Sequence, residues 1–386
     1  MRAMGKKLKL FIDASPMTEA RVSGIGHMTA ELVKALDKIE ADELGFEIYL
    51  VVCKDKKVFL EQWGLQNTKV IVLPVRQRIF NLFWKYDLLP PMDLILGKGV
   101  YLFPNYKNWR LVLSKSLTFV CDISYIKYPE YIEPKNLEFL TKNIHKWTKR
   151  TDKVVTISKN ARQEIIDELG VASSKAVLIS CGVDTSVFRP RTKQEVQDVT
   201  AEIGVTKRYI LYIGNIEPRK NIETLIEAYK QLPDLIRAKH SLLIVGGGGW
   251  LKEPILKLIR DSQNNGFDII HPDIYIPDSK LPALFSGASV LVHPAYYEGF
   301  GISPLQAMAS GTPVIVADNS SLPEVVGDAG ILFNAHDTDG LSVKIEQVLS
   351  NKQVSGKFSN VGLARASEYT WGSSADKLAL LVRGLR

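Results

Sequence analysis

The sequence predicts an α/β fold made of two successive doubly wound domains, each a parallel sheet covered by helices. Three observations lead there. Short runs rich in Val, Ile and Leu alternate with amphipathic stretches, the pattern of strands buried on both faces and joined by helical crossovers. The series halts in "CGVDTSVFRPRTK" (181–193), where Gly, Asp and Pro break the pattern, and restarts at "RYILYIG". At 386 residues the chain exceeds one ordinary domain and suits two of roughly 150 to 200 residues each. The expected division is residues 1–185, residues 186–370, and a C-terminal helix at 371–386 that could cross back to the first domain.

In the first half the strand candidates are "LKLFID", "FEIYLVV", "KVIVLP", "VYLFP", "LTFVCD", "KVVTIS" and "AVLIS", with helical spacing at 27–38, 77–88, 135–149 and 159–169. The second half repeats the scheme with "RYILYIG", "SLLIVG", "DIYI", "SVLVHP", "TPVIVA" and "GILFN", and the last 30 residues read as two helices.

Composition bounds the class. Hydrophobic residues make up 46% and charged residues 24%, which is globular and allows a sizeable core. No run of about 18 apolar residues offers a membrane span. The start "MRAMGKKLKLFIDASP" is basic, but its apolar run is too short for a signal peptide and reads as a first strand. Cys53, Cys121 and Cys181 follow no metal-ligand spacing and fit a reducing cytoplasm without disulfides. Residues 1–190 carry 29 Lys and Arg against 21 Asp and Glu, whereas residues 191–386 carry 20 against 21. An anionic partner for the basic half is one reading, and a solvated lysine-rich surface is the other. No nucleic-acid-reading module accompanies the positive charge.

Ligands of doubly wound sheets sit beyond the carboxyl ends of the strands, so the loops after strands are where chemistry is sought. "SGIGHM" (23–28) opens a helix. There Gly24 and Gly26 let backbone N–H groups approach a phosphate, although a plain tight turn fits the same residues. In "IGNIEPRKNIETL", Arg219 and Lys220 stand where a helix begins. Cations there oppose the macrodipole unless an anion such as a diphosphate joins them, the alternative being an ordinary surface pair. "VGGGGW" (245–250) bares its backbone either for a close-lying ligand or as a flexible loop.

"YYEGFGISPLQAM" (296–308) is the most specific of the four. Gly299, Gly301 and the following helix can present N–H groups, and Glu298 is placed to accept hydrogen bonds from a polyol. Gln306 can donate and accept at a ribose hydroxyl pair. A helix N-cap is the competing role for Glu298. No His/Asp/Glu set has metal-ligand spacing, so cations and helix ends would have to stabilise a leaving diphosphate. Such a site suits a nucleotide-sugar.

"GNIEPRKNI", "GASVLVHPAYYEGFGISPLQAMASGTPVIVADNSSLPEVVGDAGILF" and "DISYIKYPEYI" resemble the retaining family 4 glycosyltransferases of the GT-B fold, in the bacterial mannosyltransferase-like branch that builds surface polysaccharides and glycolipids. The resemblance covers nearly the whole chain, most strongly 209–335 and moderately 8–30 and 117–190. It implies two Rossmann-like domains facing across a cleft, with the donor held mainly by the second. Arg219 and Lys220 would take the diphosphate, and Gly24 would close over it. Glu298 with the backbone of Gly299, Phe300, Gly301 and Ile302 would read the sugar. Gln306 would read the ribose, and Tyr275 and Ile276 would meet the base. Transfer would retain configuration by front-face attack, with no metal cofactor, and GDP-mannose would be favoured over UDP-sugars.

Two positions depart from the family pattern. The second glutamate of E-x7-E is Gln306, an amide that can keep a ribose contact. The usual His-Asp pair is Cys121-Asp122. A thiol cannot replace that histidine, so Asp122 would carry more of the work beside Glu298. Cys121 is either a small buried residue at a strand end or a reactive thiol.

On the acceptor side, "RQRIFNLFWKYDLLPP" (76–91) sets Arg76, Arg78 and Lys85 among Phe80, Phe83 and Trp84. It reads as a membrane-surface or lipid-acceptor helix, or as a core helix with a basic rim. The expected protein is a cytoplasmic hexosyltransferase, peripheral on the inner face of the membrane, acting on a glycan or lipid-linked acceptor. The alternative is a weakly active or inactive nucleotide-sugar-binding partner, which Cys121 and Gln306 would fit. A nucleotide-sugar isomerase lacks a visible acid/base set. A nicotinamide dehydrogenase lacks the full glycine fingerprint, because Thr29 fills its last position.

Overall fold

The computed structural model describes residues 7–272 and 274–385. In the first half, β1 (Leu8–Asp13), β2 (Phe46–Cys53), β3 (Lys69–Leu73), β4 (Val100–Phe103), β5 (Lys115–Phe119), β6 (Lys153–Thr156) and β7 (Ala176–Leu178) form one sheet in the order β3-β2-β1-β4-β5-β6-β7. In the second, β8 (Arg208–Ile213), β9 (His240–Val245), β10 (Ile269–Ile270), β11 (Val290–His293), β12 (Val314–Ala317) and β13 (Gly330–Phe333) form another, in the order β10-β9-β8-β11-β12-β13. Every pairing is parallel. The α/β expectation of two Rossmann-like sheets holds, and the reason is visible strand by strand. All six residues of β9 and all four of β11 and β12 are buried, as helices on both faces of a parallel sheet require.

The chain forms two compact units. The first contains the described residues as far as Ile123, then Leu140–Gly182 and those from Trp371 on. The second contains Ser124–Phe139 and Val183–Thr370. Within the first unit the closing helix Trp371–Gly384 packs along helix Gly24–Asp37, and Ser374 Oγ donates to Ser180 O at 2.6 Å. Helix starts follow their capping residues. Ser23 Oγ accepts from Gly26 N and Ser158 Oγ from Ala161 N, while Thr192 and Glu195 form a reciprocal capping box.

Three local expectations are corrected. "DIYI" is not a strand: Asp273 lies outside the described residues, and Ile274–Ile276 carry no regular structure. Pro272 and Pro277 bracket that stretch and deny it ladder donors, so the edge strand forms earlier, at Ile269–Ile270. The helix expected over 77–88 ends at Lys85, because Asp87 turns left-handed with φ 56°. The strand expected over "LTFVCD" ends at Phe119, leaving Cys121 and Asp122 in the loop beyond it.

Strand order reverses direction between β1 and β4 in the first sheet and between β8 and β11 in the second. Connections leave such neighbouring strands toward opposite faces, so a crevice opens outside their carboxyl ends. Asp13 closes β1 at the first of these places, and the loops after β8 and β11 meet at the second.

Candidate active site

In the second unit the crevice lies between the loop after β8 (214–221) and the loop after β11 (294–301). The loops are stitched together by backbone. Tyr296 N donates to Arg219 O at 2.9 Å, and Arg219 Nη1 donates to Tyr297 O at 2.6 Å. Asn221 is buried in the left-handed conformation (φ 55°). Its amide donates to Pro294 O and Ala335 O at 3.0 and 2.8 Å, which ties in the loop after β13 as well. That anchor fixes Lys220, one residue earlier.

Glu298 is the hub of the site. Lys220 Nζ bonds its Oε1, His293 Nε2 lies 2.7 Å from the same oxygen, and Arg219 Nη1 stands 3.7 Å from Oε2. Its backbone N–H donates to Ser320 Oγ at 3.0 Å, and its carbonyl accepts from Ser321 Oγ at 2.7 Å. Arg219 also pairs with Glu217 at 2.7 Å. The four ionic side chains are only 12–16% exposed. Two cations and two carboxylates therefore balance in a nearly dry site, where each pair is strongly coupled. Burial acts to raise the Glu298 carboxyl, but Lys220, the hydrogen bond from His293, and Arg219 together hold it well below the usual carboxylate range. Burial lowers His293 despite its bond to Glu298, so the imidazole is neutral at neutral pH.

The turn after Glu298 is built from backbone. Gly301 is left-handed (φ 100°), and a Cβ there would meet Leu322 Cδ2 at 2.8 Å, so no other residue fits without strain. It leads into helix Ile302–Ala309 without a side-chain cap, leaving the N–H groups of Ile302 and Ser303 for a ligand. Gly299 and Phe300 are buried, and Phe300 packs edge-on against Tyr369. Gln306 is half-buried on that helix, and its amide has no protein partner among the described residues. Tyr128 and Tyr131, from the Ser124–Phe139 arm of this unit, lie beside Tyr297 and Tyr296 with ring centroids 5.8 and 6.0 Å apart.

Tyr275 and Ile276 lie in the loop after β10, two strands from β8 and so about 10 Å along the sheet edge. Tyr275 is exposed and Ile276 buried. In the four-glycine loop, Gly246 and Gly249 abut the backbone carbonyls of Gly214 and Ile216, while Gly247 and Gly248 face open space. Two of its glycines thus serve packing within the unit. Arg219 and Lys220 occupy a single 3₁₀ turn before helix Ile222–Lys230, already engaged with carboxylates.

In the first unit Gly24 is exposed at the start of its helix, with open space where a Cβ would stand. Gly26 is buried against Pro16 O, a contact that excludes a Cβ. Cys121 is buried, and burial pushes its thiol well above the usual value, so it is protonated at neutral pH. Asp122 is half-buried and accepts from Tyr106 Oη at 3.3 Å. Asp13, at the end of β1, is raised chiefly by burial, and Lys107 lies close enough to oppose that rise.

Sequence reasoning missed His293, Glu217, Ser320, Ser321 and Asp13. His293 closes an otherwise apolar strand and Asp13 ends the apolar run Leu10–Ile12, each at a crevice, and that signal was legible. Glu217 and the serines are ordinary loop residues until the fold brings them to Arg219 and Glu298.

Residues 22–187 match the family model described as Glycosyltransferase Family 4, and residues 193–364 match that described as Glycosyl transferases group 1. The O-antigen chain mannosyltransferase B of Escherichia coli is 34% identical over 276 residues, covering 70% of this chain and 71% of that protein. Sucrose-phosphate synthase from Thermosynechococcus elongatus shares the fold with a TM-score of 0.73 at 20% identity, covering 98% of this chain and 99% of that one. Anabaena HepE, solved in complex with UDP-glucose, does so with a TM-score of 0.72 at 17% identity, covering 98% and 100%. With matching family models along nearly its whole length, two Rossmann-like sheets and a close mannosyltransferase relative, the chain belongs to the family 4 glycosyltransferases of the GT-B fold.

Proposed function

We propose that this glycosyltransferase moves a hexose, mannose in the favoured case, from a nucleotide-sugar to a glycan or lipid-linked acceptor in surface polysaccharide or glycolipid synthesis. Configuration is retained and no metal is used. The observation that carries the reading is the Lys220–Glu298–Arg219 cluster at the crevice between β8 and β11, with free helix N–H groups beside it. Mannose over other hexoses, and GDP-mannose over UDP-sugars, rest on the mannosyltransferase relative.

In this reading the donor diphosphate lies against Arg219, Lys220 and the N–H groups of Ile302 and Ser303, whose positive charge takes the place of a divalent ion. Glu298 Oε2 and the backbone from Gly299 to Ile302, including Phe300 and Gly301, hold the sugar. Gln306 meets the ribose, and Tyr275 and Ile276 flank the base. In the first unit Gly24 offers helix-start N–H groups to an anion, Asp122 is the group for the acceptor hydroxyl, and Cys121 beside it is a neutral thiol. As the C1–phosphate bond breaks, the acceptor oxygen enters on the same face and its proton passes to the departing phosphate oxygen. NMR of the product tests this. An anomeric carbon with the donor's configuration, formed equally well in EDTA, supports it, and an inverted product removes it.

The acceptor reading includes an anionic membrane surface. Helix Gln77–Lys85 anchors Phe80 in the first unit's aromatic core and packs Trp84 against it, yet a second apolar stripe faces outward. Ile79, Leu82, Phe83 and Tyr86 are 45–63% exposed at helical spacing, with Arg76, Arg78 and Lys85 around them. Apolar insertion combined with basic flanks matches an anionic bilayer. No helix of the described residues is long and apolar enough to cross a membrane.

A further inference from the structure

The reading of Glu298 as the sugar-holding group leaves one neighbour without a role. His293 closes β11, is 3% exposed, and stacks nearly parallel to Tyr212 with centroids 6.2 Å apart. Its Nε2 lies 2.7 Å from Glu298 Oε1, while its Nδ1 is buried without a partner among the described residues. A neutral imidazole carries one N–H, and only Nε2 has an acceptor in reach, so the proton sits there. The tautomer is therefore set by the carboxylate. Placing a second proton on Nδ1 would bury an unmatched donor and a third cation beside Lys220 and Arg219.

Two donors, Lys220 Nζ and His293 Nε2, thus converge on Oε1. The nearest cation to Oε2 is Arg219 at 3.7 Å, beyond hydrogen-bond range. The carboxylate is asymmetric: one oxygen is saturated and the other keeps its acceptor capacity. A carboxylate bound by a lone lysine could rotate and exchange its oxygens. A rigid imidazole fixed by a strand end and an aromatic face prevents that.

We propose that His293 is a positioning residue that commits Glu298 Oε1 to the protein and so holds Oε2 ready to accept a hydroxyl of the transferred sugar. The inference rests on Glu298 reading the donor sugar. It predicts a contact with the sugar moiety, and none with the nucleotide, that depends on the Nε2–H donor.

Glutamine places an amide N–H at about the reach of Nε2, asparagine falls one methylene short, and leucine fills the space without a donor. The experiment measures kcat/KM for GDP-mannose, or for the UDP-sugar that turns over in its place, in His293→Gln, His293→Asn and His293→Leu. Calorimetry of the nucleoside diphosphate alone is run alongside. The expected result is a roughly 10- to 100-fold loss of kcat/KM in His293→Leu and His293→Asn, the scale of one hydrogen bond to a charged group. His293→Gln recovers to within about fivefold, and diphosphate affinity stays within about twofold throughout. The acid limb of kcat/KM also moves up in His293→Leu, because Glu298 has lost a donor to its ionised form. If His293→Leu fails to fold, the Gln and Asn pair still decides, since both are amides differing in reach.

Equal activity of Gln and Asn variants, or equal losses for sugar-nucleotide and diphosphate, would overturn the proposal. Glu298→Gln separates the levels. If that variant keeps its kcat/KM, the reading of Glu298 falls. If it loses activity while the three His293 variants do not, only the role of His293 falls.

Discussion

Removing the Lys220 ammonium while keeping most of its stem, as Lys220→Met does, perturbs the site at its most connected point. The side chain is 12% exposed and bonds a carboxylate that is 13% exposed, so solvent screening does little to weaken the pair. If Lys220 holds the donor diphosphate as proposed, the variant forfeits one charge-assisted hydrogen bond to it, about 1.5–3 kcal/mol of binding, or about 10- to 150-fold in kcat/KM. It also changes Glu298. In the native site burial pushes that carboxyl up, and Lys220 is the foremost of the neighbours that overcome it. Without Lys220 the burial effect is less opposed, so the carboxyl rises. The sign follows from linkage. A depressed acid adds stability that is present above its unfolded value near 4.5 and is lost only as pH falls through the lower folded value. In the variant both the acid limb of activity and the acid loss of stability move to higher pH. Nucleoside-diphosphate release measured from about pH 3 to 8 reads the first, and thermal unfolding over the same range reads the second. A variant within twofold of the native kcat/KM, with an unmoved acid limb, would refute this account of the cluster.

Four further variants probe separate parts of the molecule. Gly301→Ala forces a Cβ toward Leu322 at a left-handed residue and should cost about 2 kcal/mol of stability, lowering Tm and raising donor KM, whereas an unchanged Tm would mean the turn relaxes freely. Gln306→Glu supplies a charged acceptor to the ribose and should lower donor KM about fivefold, a change of about 1 kcal/mol; weaker binding would mean that the amide donates to the ligand. Cys121→His crowds a buried position and should lower stability by about 1–3 kcal/mol without raising kcat, while a tenfold gain in kcat would mark residue 121 as a lost catalytic position. Leu82→Asp with Phe83→Asp should cut flotation with anionic vesicles at least fivefold and leave neutral vesicles unaffected, so unchanged flotation would end the membrane reading.

Much of the fold was legible because parallel strands buried on both faces write themselves as apolar runs, and "SLLIVG" or "TPVIVA" could hardly be anything else. "DIYI" misled for the same reason: its residues favour strands, but the flanking prolines count for more than propensity. The glycine turn and Glu298 were readable because a lone acid in Gly-Phe-Gly surroundings has few structural uses. What Glu298 touches was not. Lys220 lies 78 residues away in sequence, and only the stitching of two loops by Asn221 and Arg219 brings them together. Arg219 and Lys220 read as cations needing an anion, and in the structure their resident partners are Glu217 and Glu298, which sequence spacing alone does not pair. The four-glycine loop shows the reverse limit, since Gly246 and Gly249 are explained by backbone neighbours that no local pattern reveals.

The central claim is metal-independent transfer from a nucleotide-sugar, and a donor panel tests it most directly. Nucleoside-diphosphate release would be measured with GDP- and UDP-sugars, in EDTA, with and without a lipid extract as acceptor source. Release from one donor, GDP-mannose foremost, stimulated by the extract and indifferent to EDTA, is the predicted result. Turnover abolished by EDTA, or no turnover from a donor that binds tightly, would contradict it.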